Sequence, residues 1–314
     1  MKAHAVVLEE PERLCLRDLD LKPQEPADVV VEMDFSGIST GTERLLYTGA
    51  MPAFPGMGYP LVPGYESVGR ISAAGPESGR SVGETVFVPG ASCYRDVRGL
   101  FGGTAERVIV PGARVVPLPD GLGEQGVLIA LAATARHAVM PVAPDGPLPE
   151  LIIGHGVLGR LLARLVVAAG APSPVVWETN PDRQSGARGY SVLSPDDDDR
   201  RDYRCICDVS GDAGLLDTLI GRLGAGGEIV LAGFYSQPLS FTFPPAFMRE
   251  ARIRVAAEWK PADLLAVSEL LVTGSLDLDD LITHRSPAAE AEDAYRTAFG
   301  DAHCLKMILD WRRS

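Results

Sequence analysis

A glycine-rich turn between a predicted strand and a predicted helix carries the clearest chemistry in this 314-residue chain. The apolar run 151–153 precedes the spacing G-x-G-x-x-G, and an amphipathic run to Leu165 follows it. Such glycines allow a tight turn, a close approach of phosphate to the backbone, and close helix packing. The free N–H groups of the first helical turn attract phosphates. We therefore predict a dinucleotide site formed by Gly154, His155, Gly156, Val157, Leu158 and Gly159.

An acidic residue ends the next predicted strand. The run 174–177 is apolar and Glu178 follows it, at roughly the 20-residue offset at which a carboxylate binds the ribose hydroxyls. Because a carboxylate also repels a 2′-phosphate, Glu178 predicts NAD as the cofactor. Arg183 keeps NADP open as the alternative. Ser210 and Gly233, which follow two later predicted strands, complete the expected cofactor site.

The elements around this site divide the chain into two halves. Residues 1 to about 120 contain short strands bounded by Gly and Pro, which predicts a small barrel or sandwich. An Ala-rich helix at 126–140 and a Pro-rich segment at 141–149 come next, and strands then alternate with helices or loops, as in a parallel sheet. The connection between the third and fourth of these strands is too short for a crossover helix, and its acidic run, 196–199, predicts a solvated turn.

The predicted elements give an α/β fold class and three segments. We expect a catalytic domain at 1–125, a nucleotide-binding domain at 126–273, and a C-terminal return to the catalytic domain at 274–314. In the return segment we predict a strand at 281–285, a helix at 288–299 and a last strand at 304–309.

The composition excludes several classes of protein. The net charge of −13 disfavours a nucleic-acid partner. No uncharged apolar run reaches the length of about 18 residues that a membrane span requires, and the start does not resemble a signal peptide, so we expect a cytoplasmic protein. The five cysteines are scattered without a C-x-x-C motif, which predicts neither a disulfide framework nor a clustered zinc site.

The barrel-like first half, the Ala-rich connector, the dinucleotide fold and the returning tail together resemble the medium-chain dehydrogenase/reductase superfamily. The segment 64–69 stands where zinc-dependent members have G-H-E-x-x-G, and 36–43 stands where they have a G-I-C-G-x-D stretch. The resemblance implies a GroES-like β-barrel catalytic domain and a Rossmann domain with a doubly wound parallel sheet.

The metal ligands that the superfamily pattern leads one to expect are missing. A catalytic zinc ion needs three protein ligands of the nitrogen, sulfur or oxygen kind. We therefore expect no metal and place the protein in the zinc-free branch. The residues at the three ligand positions are Ser39 or Thr40 for Cys, Tyr65 for His, and Ala130 for the Glu of polyol-type members.

One branch of the superfamily resembles this chain more closely than the zinc-dependent members do. The stretches 37–46 and 51–70 resemble its dehydrogenases of bacteriochlorophyll biosynthesis. That branch oxidises the 3-(1-hydroxyethyl) group of bacteriochlorophyllide a, or of the related chlorophyllide, to 3-acetyl with NAD⁺. The resemblance implies a tetrapyrrole substrate and a homodimer. An apolar pigment also leaves loose contact with the inner membrane open, although no transmembrane segment is expected.

Without a metal, a side chain or water must accept the proton of the alcohol. Ser39 or Thr40 is expected to hydrogen-bond the alcohol, and Glu66 to act as base directly or through water. Glu66 as a structural carboxylate, bonded to backbone or to an Arg, is the alternative. We expect Tyr65 to pack rather than ionise, because an ordinary tyrosine ionises near pH 10. The candidate catalytic residues are Ser39, Thr40, Thr42 and Glu66, with Glu43 and Tyr65 nearby.

Two other functions fit the same residues. A zinc-free NADPH-dependent quinone or enone reductase shares the fold and the missing ligands. A non-enzymatic pigment- or NAD-binding protein fits the lack of an unmistakable catalytic residue, because fold does not fix function. The loop 47–60, rich in Pro, Gly, Met and aromatic residues, is either a wall over a large apolar substrate or a loop packed on its own domain.

Overall fold

The computed structural model describes residues 1–119, 121–142 and 145–313. The chain divides into two compact units. Unit 1 comprises residues 1–130 and 281–314, and unit 2 comprises residues 131–280. Residues 143 and 144 of the Pro-rich segment 141–149 lie outside the described residues.

Both units combine short strands with helices. The strands are β1 (Lys2–Glu10), β2 (Arg13–Asp20), β3 (Asp28–Ile38), β4 (Leu61–Val62), β5 (Ser67–Ala74), β6 (Thr85–Val88), β7 (Arg98–Gly99), β8 (Arg107–Pro111), β9 (Val116–Pro117), β10 (Leu151–Ile153), β11 (Val175–Trp177), β12 (Ser191–Leu193), β13 (Tyr203–Asp208), β14 (Leu223–Leu231), β15 (Arg252–Val255), β16 (His284–Pro287) and β17 (Met307–Asp310). The helices are α1 (Thr42–Thr48), α2 (Ile129–Val139), α3 (Val157–Ala168), α4 (Leu216–Arg222), α5 (Phe243–Met248), α6 (Pro261–Val272) and α7 (Ala291–Gly300).

Unit 1 is built from two sheets. One has the strand order β2-β1-β4-β7; the other has the order β16-β17-β3-β5-β6-β9, with β8 also paired to β3. The long strand β3 is central because its valines are buried and it pairs with β5, β8 and β17. Gly69 lies where a Cβ atom would be 2.2 Å from the Glu32 carbonyl oxygen, so only glycine lets β5 approach β3 this closely.

Unit 2 contains one parallel sheet with the order β12-β11-β10-β13-β14-β15. In chain order this is 3-2-1-4-5-6, and the direction of winding reverses between β10 and β13. Ligands of such sheets bind outside the carboxyl ends of the strands at that reversal. All three residues of β10 are buried, as expected for a strand covered on both faces.

Several predicted element bounds were wrong. The helix expected from residue 126 begins as a 3₁₀ turn, Gly123–Leu128, and becomes α-helical only at Ile129. The strand expected at 281–285 begins at His284 and runs to Pro287. Both errors lie at element ends, where the local pattern continues beyond the regular hydrogen bonding.

The short connection between β12 and β13 contains a 3₁₀ turn, Pro195–Asp197, and no α-helix is described there. Asp198 follows this turn, is buried, and accepts hydrogen bonds from Trp177 Nε1 and the Tyr203 hydroxyl, each 2.7 Å long. The prediction of a solvated turn was therefore wrong for this residue. Its carboxylate links β11, which contains Trp177, to β13, which contains Tyr203.

Within the ranges that the structure describes, no helix combines the length and the apolar character needed to cross a membrane.

Candidate active site

The glycine turn in unit 2 has the geometry that phosphate binding requires. Gly154 has φ +102°, a conformation that favours glycine, and its N–H donates to the Trp177 carbonyl oxygen at 2.9 Å. A Cβ on Gly156 would meet nothing within 4 Å, whereas one on Gly159 would lie 1.8 Å from the Gly154 carbonyl oxygen. Open space thus faces the start of α3, where Val157 and Leu158 have free N–H groups, and this fits a pyrophosphate.

Glu178 lies beside this turn. Its Oε2 accepts a hydrogen bond from the His155 backbone N–H at 3.2 Å, and its Oε1 accepts one from the Asn180 N–H at 2.8 Å. The structure therefore brings the predicted ribose-binding acid and the predicted phosphate turn together. The two backbone donors hold the carboxylate in place before any ligand arrives.

The His155 ring is fully buried behind the turn. Its Nδ1 lies 2.6 Å from the Arg183 carbonyl oxygen and its Nε2 lies 2.9 Å from the Tyr190 hydroxyl. Burial lowers the pKa of His155 to about 4, so the ring is neutral at pH 7. Because a carbonyl only accepts, we assign the proton to Nδ1 and the acceptor role to Nε2.

The other predicted cofactor residues lie at the carboxyl ends of β13 and β14. The Ser210 Cα is 3.7 Å from the position of a Cβ on Gly154, and a Cβ on Gly233 would lie 3.1 Å from the Gly211 nitrogen. The Ser210 hydroxyl donates to Asp208 Oδ1 at 2.7 Å. These contacts place Ser210 and Gly233 at the same end of the sheet as the glycine turn.

The candidate catalytic residues lie in unit 1, around the end of β3. Ser39 Oγ and the Tyr65 hydroxyl are 2.7 Å apart, and the Tyr65 hydroxyl also interacts with the Thr42 side chain. Desolvation raises the pKa of Tyr65 well above its usual range, so this hydroxyl stays protonated. Thr40 is exposed, while Thr42 is half-buried at the start of α1. The result is a cluster of three neutral hydroxyls, those of Ser39, Thr42 and Tyr65.

Glu66 is fully buried beneath this hydroxyl cluster and pairs with a buried lysine. Its Oε2 lies 2.6 Å from Lys306 Nζ, which also donates to the Ile38 carbonyl oxygen at 3.1 Å. No partner is found for Glu66 Oε1 among the described residues. The pairing corresponds to the structural alternative for Glu66, with a lysine in place of the expected arginine. Lys306 was missed, although one lysine inside the apolar run 304–309 was a signal for a buried charge.

A second buried carboxyl belongs to Glu43. Its Oε2 accepts a hydrogen bond from the Tyr295 hydroxyl at 2.6 Å, and its Oε1 accepts one from the Ser39 N–H at 3.4 Å. Burial raises the pKa of Glu43 to about 8, so it is largely protonated at neutral pH. The sequence placed Glu43 near the site, but it gave no sign of Tyr295, which lies 252 positions away.

The side chains at the positions of the missing metal ligands are two hydroxyl groups and one methyl group. Ser39 and Tyr65 bind each other through their hydroxyls, and Ala130 has no donor atom in its side chain. Within residues 1–119, 121–142 and 145–313, no group of three or more His, Cys, Asp or Glu side chains is arranged to hold a metal ion.

The loop 47–60 packs on its own domain at both ends and exposes its tip, and its role as a wall over the substrate stays a prediction. Met51 is buried, and the Tyr59 hydroxyl donates to the Leu46 carbonyl oxygen, so both ends pack on unit 1. Its tip, residues 52–56, is exposed and includes the apolar side chain of Phe54.

Comparison with known proteins identifies the family. The alcohol dehydrogenase GroES-like domain matches residues 25–120. The 2-desacetyl-2-hydroxyethyl bacteriochlorophyllide A dehydrogenase of Rhodobacter capsulatus is 56% identical over 313 residues, which cover 99% of each chain. The protein of the same name from Cereibacter sphaeroides is 55% identical over 317 residues, again with 99% of each chain covered. The chain belongs to this dehydrogenase family.

Solved structures of other dehydrogenases confirm the fold of this chain. An alcohol dehydrogenase of Escherichia coli CFT073, solved with NADH, has a TM-score of 0.82 at 22% identity and covers 98% of this chain and 99% of its own. A putative zinc-binding dehydrogenase of Sinorhizobium meliloti, bound to NADP, has a TM-score of 0.82 at 21% identity and covers 99% of both chains. The predicted combination of a GroES-like domain and a parallel-sheet Rossmann domain is thus confirmed.

Proposed function

We propose that this dehydrogenase oxidises the 3-(1-hydroxyethyl) group of bacteriochlorophyllide a, or of the related chlorophyllide, to 3-acetyl with NAD⁺ in bacteriochlorophyll a biosynthesis. The observation that carries the proposal is the 56% identity, along 99% of both chains, to a dehydrogenase named for that hydroxyethyl pigment. In this reaction the alcohol carbon loses a hydride and the hydroxyl loses a proton. The chain must therefore hold a hydride acceptor, hydrogen-bond the alcohol, and take up the proton.

The residues of unit 2 fit NAD as the hydride acceptor. The space at Gly156 accepts a pyrophosphate, and the Glu178 carboxylate is held where it would bind the adenosine ribose and repel a 2′-phosphate. When bound, the nicotinamide accepts the hydride from the substrate carbon. Glu178 favours NAD over NADP even though related folds hold either cofactor.

The hydroxyl cluster of unit 1 supplies the alcohol-binding groups. Ser39 Oγ, fixed by its contact with the Tyr65 hydroxyl, is suited to accept a hydrogen bond from the substrate alcohol and to pass its proton to water or to a neighbouring hydroxyl. Thr42 interacts with the same Tyr65 hydroxyl and extends the chain of hydroxyls. We assign Thr40 a smaller role, because its side chain is exposed.

We further propose that the reaction is independent of zinc. Serine and tyrosine hydroxyls are not among the usual protein ligands of zinc, and Ala130 offers no third ligand. The carboxylate of Glu66 is engaged by Lys306, so we assign it a positioning role beneath Ser39 in place of the role of proton acceptor.

The test is a pigment spectrum. Purified protein is mixed with NAD⁺ and 3-hydroxyethyl bacteriochlorophyllide a in the presence of a metal chelator, and the long-wavelength band is followed. A red shift is expected, because the new acetyl group joins the conjugation of the ring. Turnover of quinones with NADPH, without turnover of the pigment, would establish a quinone reductase. Tight pigment binding without any turnover would establish a non-enzymatic pigment-binding protein. Loss of turnover on adding chelator, restored by Zn²⁺, would contradict zinc independence.

The roles of the hydroxyls are tested by Ser39→Ala and Tyr65→Phe, compared with Thr40→Ala. We expect the first two variants to lower kcat by about 10²-fold or more, as for loss of a group that positions or transfers a proton, and Thr40→Ala to have a smaller effect. An equal loss in Thr40→Ala would place the alcohol at Thr40 instead.

We also propose a homodimer that forms through unit 2. The strand β15 ends its sheet, and a strand at a sheet edge offers unpaired backbone groups to a second copy. Large apolar side chains are exposed near it, which favours burial in an interface. Sedimentation of the wild type and of Val255→Asp tests this, with a shift to monomer expected in the variant. The exposed apolar residues are Phe243, Phe247, Met248, Ile253 and Val255.

A further inference from the structure

The segment 179–187 follows Glu178 and lacks the helix that usually packs such a connection onto a parallel sheet. Residues 178–190 link β11 to β12, and the only helical piece assigned there is the 3₁₀ turn Pro181–Arg183. Most of its side chains are exposed or half-exposed, so apolar burial contributes little to its order. Other interactions must therefore hold the backbone that carries the ribose-binding acid.

A buried arginine on α3 supplies those interactions. Arg160 is only 6% exposed and donates to four carbonyl oxygens. Its Nε binds the His155 oxygen at 3.1 Å, and its Nη1 binds the Gly186 oxygen at 3.2 Å. Its Nη2 binds the oxygens of Arg183 at 3.2 Å and Ser185 at 2.8 Å. One rigid guanidinium thus links the phosphate turn to three carbonyls of the segment.

The fit is tight at Gly186. This residue has φ +82°, and a Cβ atom there would lie 2.5 Å from Arg160 Nη1. The backbone therefore passes directly against the guanidinium, in a conformation that only glycine adopts readily.

The His155 side chain makes a second link to the same segment. Its ring binds the Arg183 carbonyl oxygen and the Tyr190 hydroxyl, while its backbone N–H binds the Glu178 carboxylate. The Gln184 side chain adds a hydrogen bond within the segment, because it donates to the Glu178 carbonyl oxygen at 2.9 Å. The acid, the phosphate turn and the segment are thereby joined through one buried residue.

We propose that Arg160 and the His155 ring are positioning residues for cofactor specificity, which lock the segment 179–187 so that Glu178 is preorganised for the adenosine ribose. This inference rests on the proposed use of a dinucleotide with a free 2′-hydroxyl. A carboxylate held in the binding geometry before the ligand arrives avoids the entropic cost of ordering the segment on binding.

The test compares Arg160→Lys with Arg254→Lys. Arg254 lies in β15 of the same unit and is half-buried, and its Nη2 donates to the Ala138 carbonyl oxygen at 3.0 Å. Hydrogen exchange of the cofactor-free protein is followed by mass spectrometry. We expect exchange within 179–187 to rise by about tenfold in Arg160→Lys and to stay near the wild-type rate in Arg254→Lys.

Affinity is measured with NADH and with an NADH analogue that lacks both the 2′- and the 3′-hydroxyl of the adenosine ribose. For Arg160→Lys we expect the Kd of NADH to rise by about tenfold and that of the analogue by less than about twofold, because the analogue does not use this contact of Glu178. Equal losses for the two ligands, or equal exchange in the two lysine variants, would overturn the proposal.

Tyr190→Phe is the second variant, in case Arg160→Lys does not fold. It removes the hydroxyl that binds His155 Nε2 and that also interacts with the Arg164 side chain, and exchange within 179–187 is expected to rise by at least about threefold. Unchanged hydrogen exchange within 179–187 would refute the positioning role of the His155 imidazole ring. The wild-type protein could instead bind NADPH but not NADH, while Arg160→Lys still raises hydrogen exchange within 179–187. That result would refute the proposed cofactor but not the positioning of the segment by Arg160.

Discussion

The buried pair of Glu66 and Lys306 allows a quantitative test of how the alcohol site is stabilised. Both side chains are almost completely removed from solvent, and Nζ lies 2.6 Å from Oε2. Lys306→Met keeps the apolar stem and removes the ammonium group, which leaves a buried carboxylate without its counter-ion. Removing one partner of such a pair typically costs about 3–5 kcal/mol of folding free energy.

We therefore expect Lys306→Met to lose about 3–5 kcal/mol of folding free energy at pH 7. Urea unfolding of wild type and Lys306→Met at pH 7 measures this loss. The double variant Glu66→Gln/Lys306→Met removes both charges and should recover most of the loss. The matched control is Lys22→Met, since Lys22 is exposed and binds the Ser92 carbonyl oxygen at 2.8 Å; its change should stay within about 0.5 kcal/mol. A loss below about 1 kcal/mol in Lys306→Met, or no recovery in the double variant, would refute the reasoning.

Three other predictions follow from the two units. Because burial raises the pKa of Glu43 to about 8 from 4.5, the folded chain keeps a proton that the unfolded chain loses, and wild-type stability falls as the pH rises between these values. Glu43→Gln should remove this dependence in urea unfolding at pH 5 and pH 8, and parallel curves for the two proteins would contradict it. Gly156→Ala should weaken NADH binding with little change in Tm, whereas Gly159→Ala should lower Tm, because only the second Cβ meets backbone, at 1.8 Å. Equal Tm values would argue against the close packing of α3. Glu178→Ala should weaken NAD binding and narrow its advantage over NADP in titrations, and unchanged NAD affinity would refute the assignment.

The candidate cofactor site in unit 2 was predictable because its signals are local. The turn from β10 to α3 is specified by glycines at fixed spacing, and each of them has a distinct geometric reason in the structure. Glu178 follows the next strand directly, so its place beside the turn follows from the parallel pairing of β10 and β11. The contacts of Arg160 were not predictable, because a cation in an amphipathic helix is ordinarily a solvated one.

The candidate alcohol site in unit 1 was predictable only in part. The resemblance to medium-chain dehydrogenases located Ser39 and Tyr65, and the structure joins their hydroxyls. The partners of the two buried carboxyls were not predictable, because Lys306 is 240 positions from Glu66, and Tyr295 is 252 from Glu43. Propensity and periodicity describe the face of an element that is buried, but they do not identify the residue that meets it from a distant part of the chain.

Both of these partners belong to the returning segment 281–314, and one strand pairing puts Lys306 in place. Strand β17 runs antiparallel to β3 with Met307 opposite Ile38 and Ile308 opposite Gly37, so Lys306 comes next to the end of β3, where Ser39 follows. A slip of one residue would turn the side chains of β17 to the opposite faces and withdraw the ammonium group from Glu66. The Trp311 indole N–H donates to the Ser36 hydroxyl at 2.9 Å across the same pair of strands, and this contact opposes such a slip. The charge balance beneath Ser39 therefore depends on the register of β17, so Trp311 contributes to the chemistry of the site without touching it.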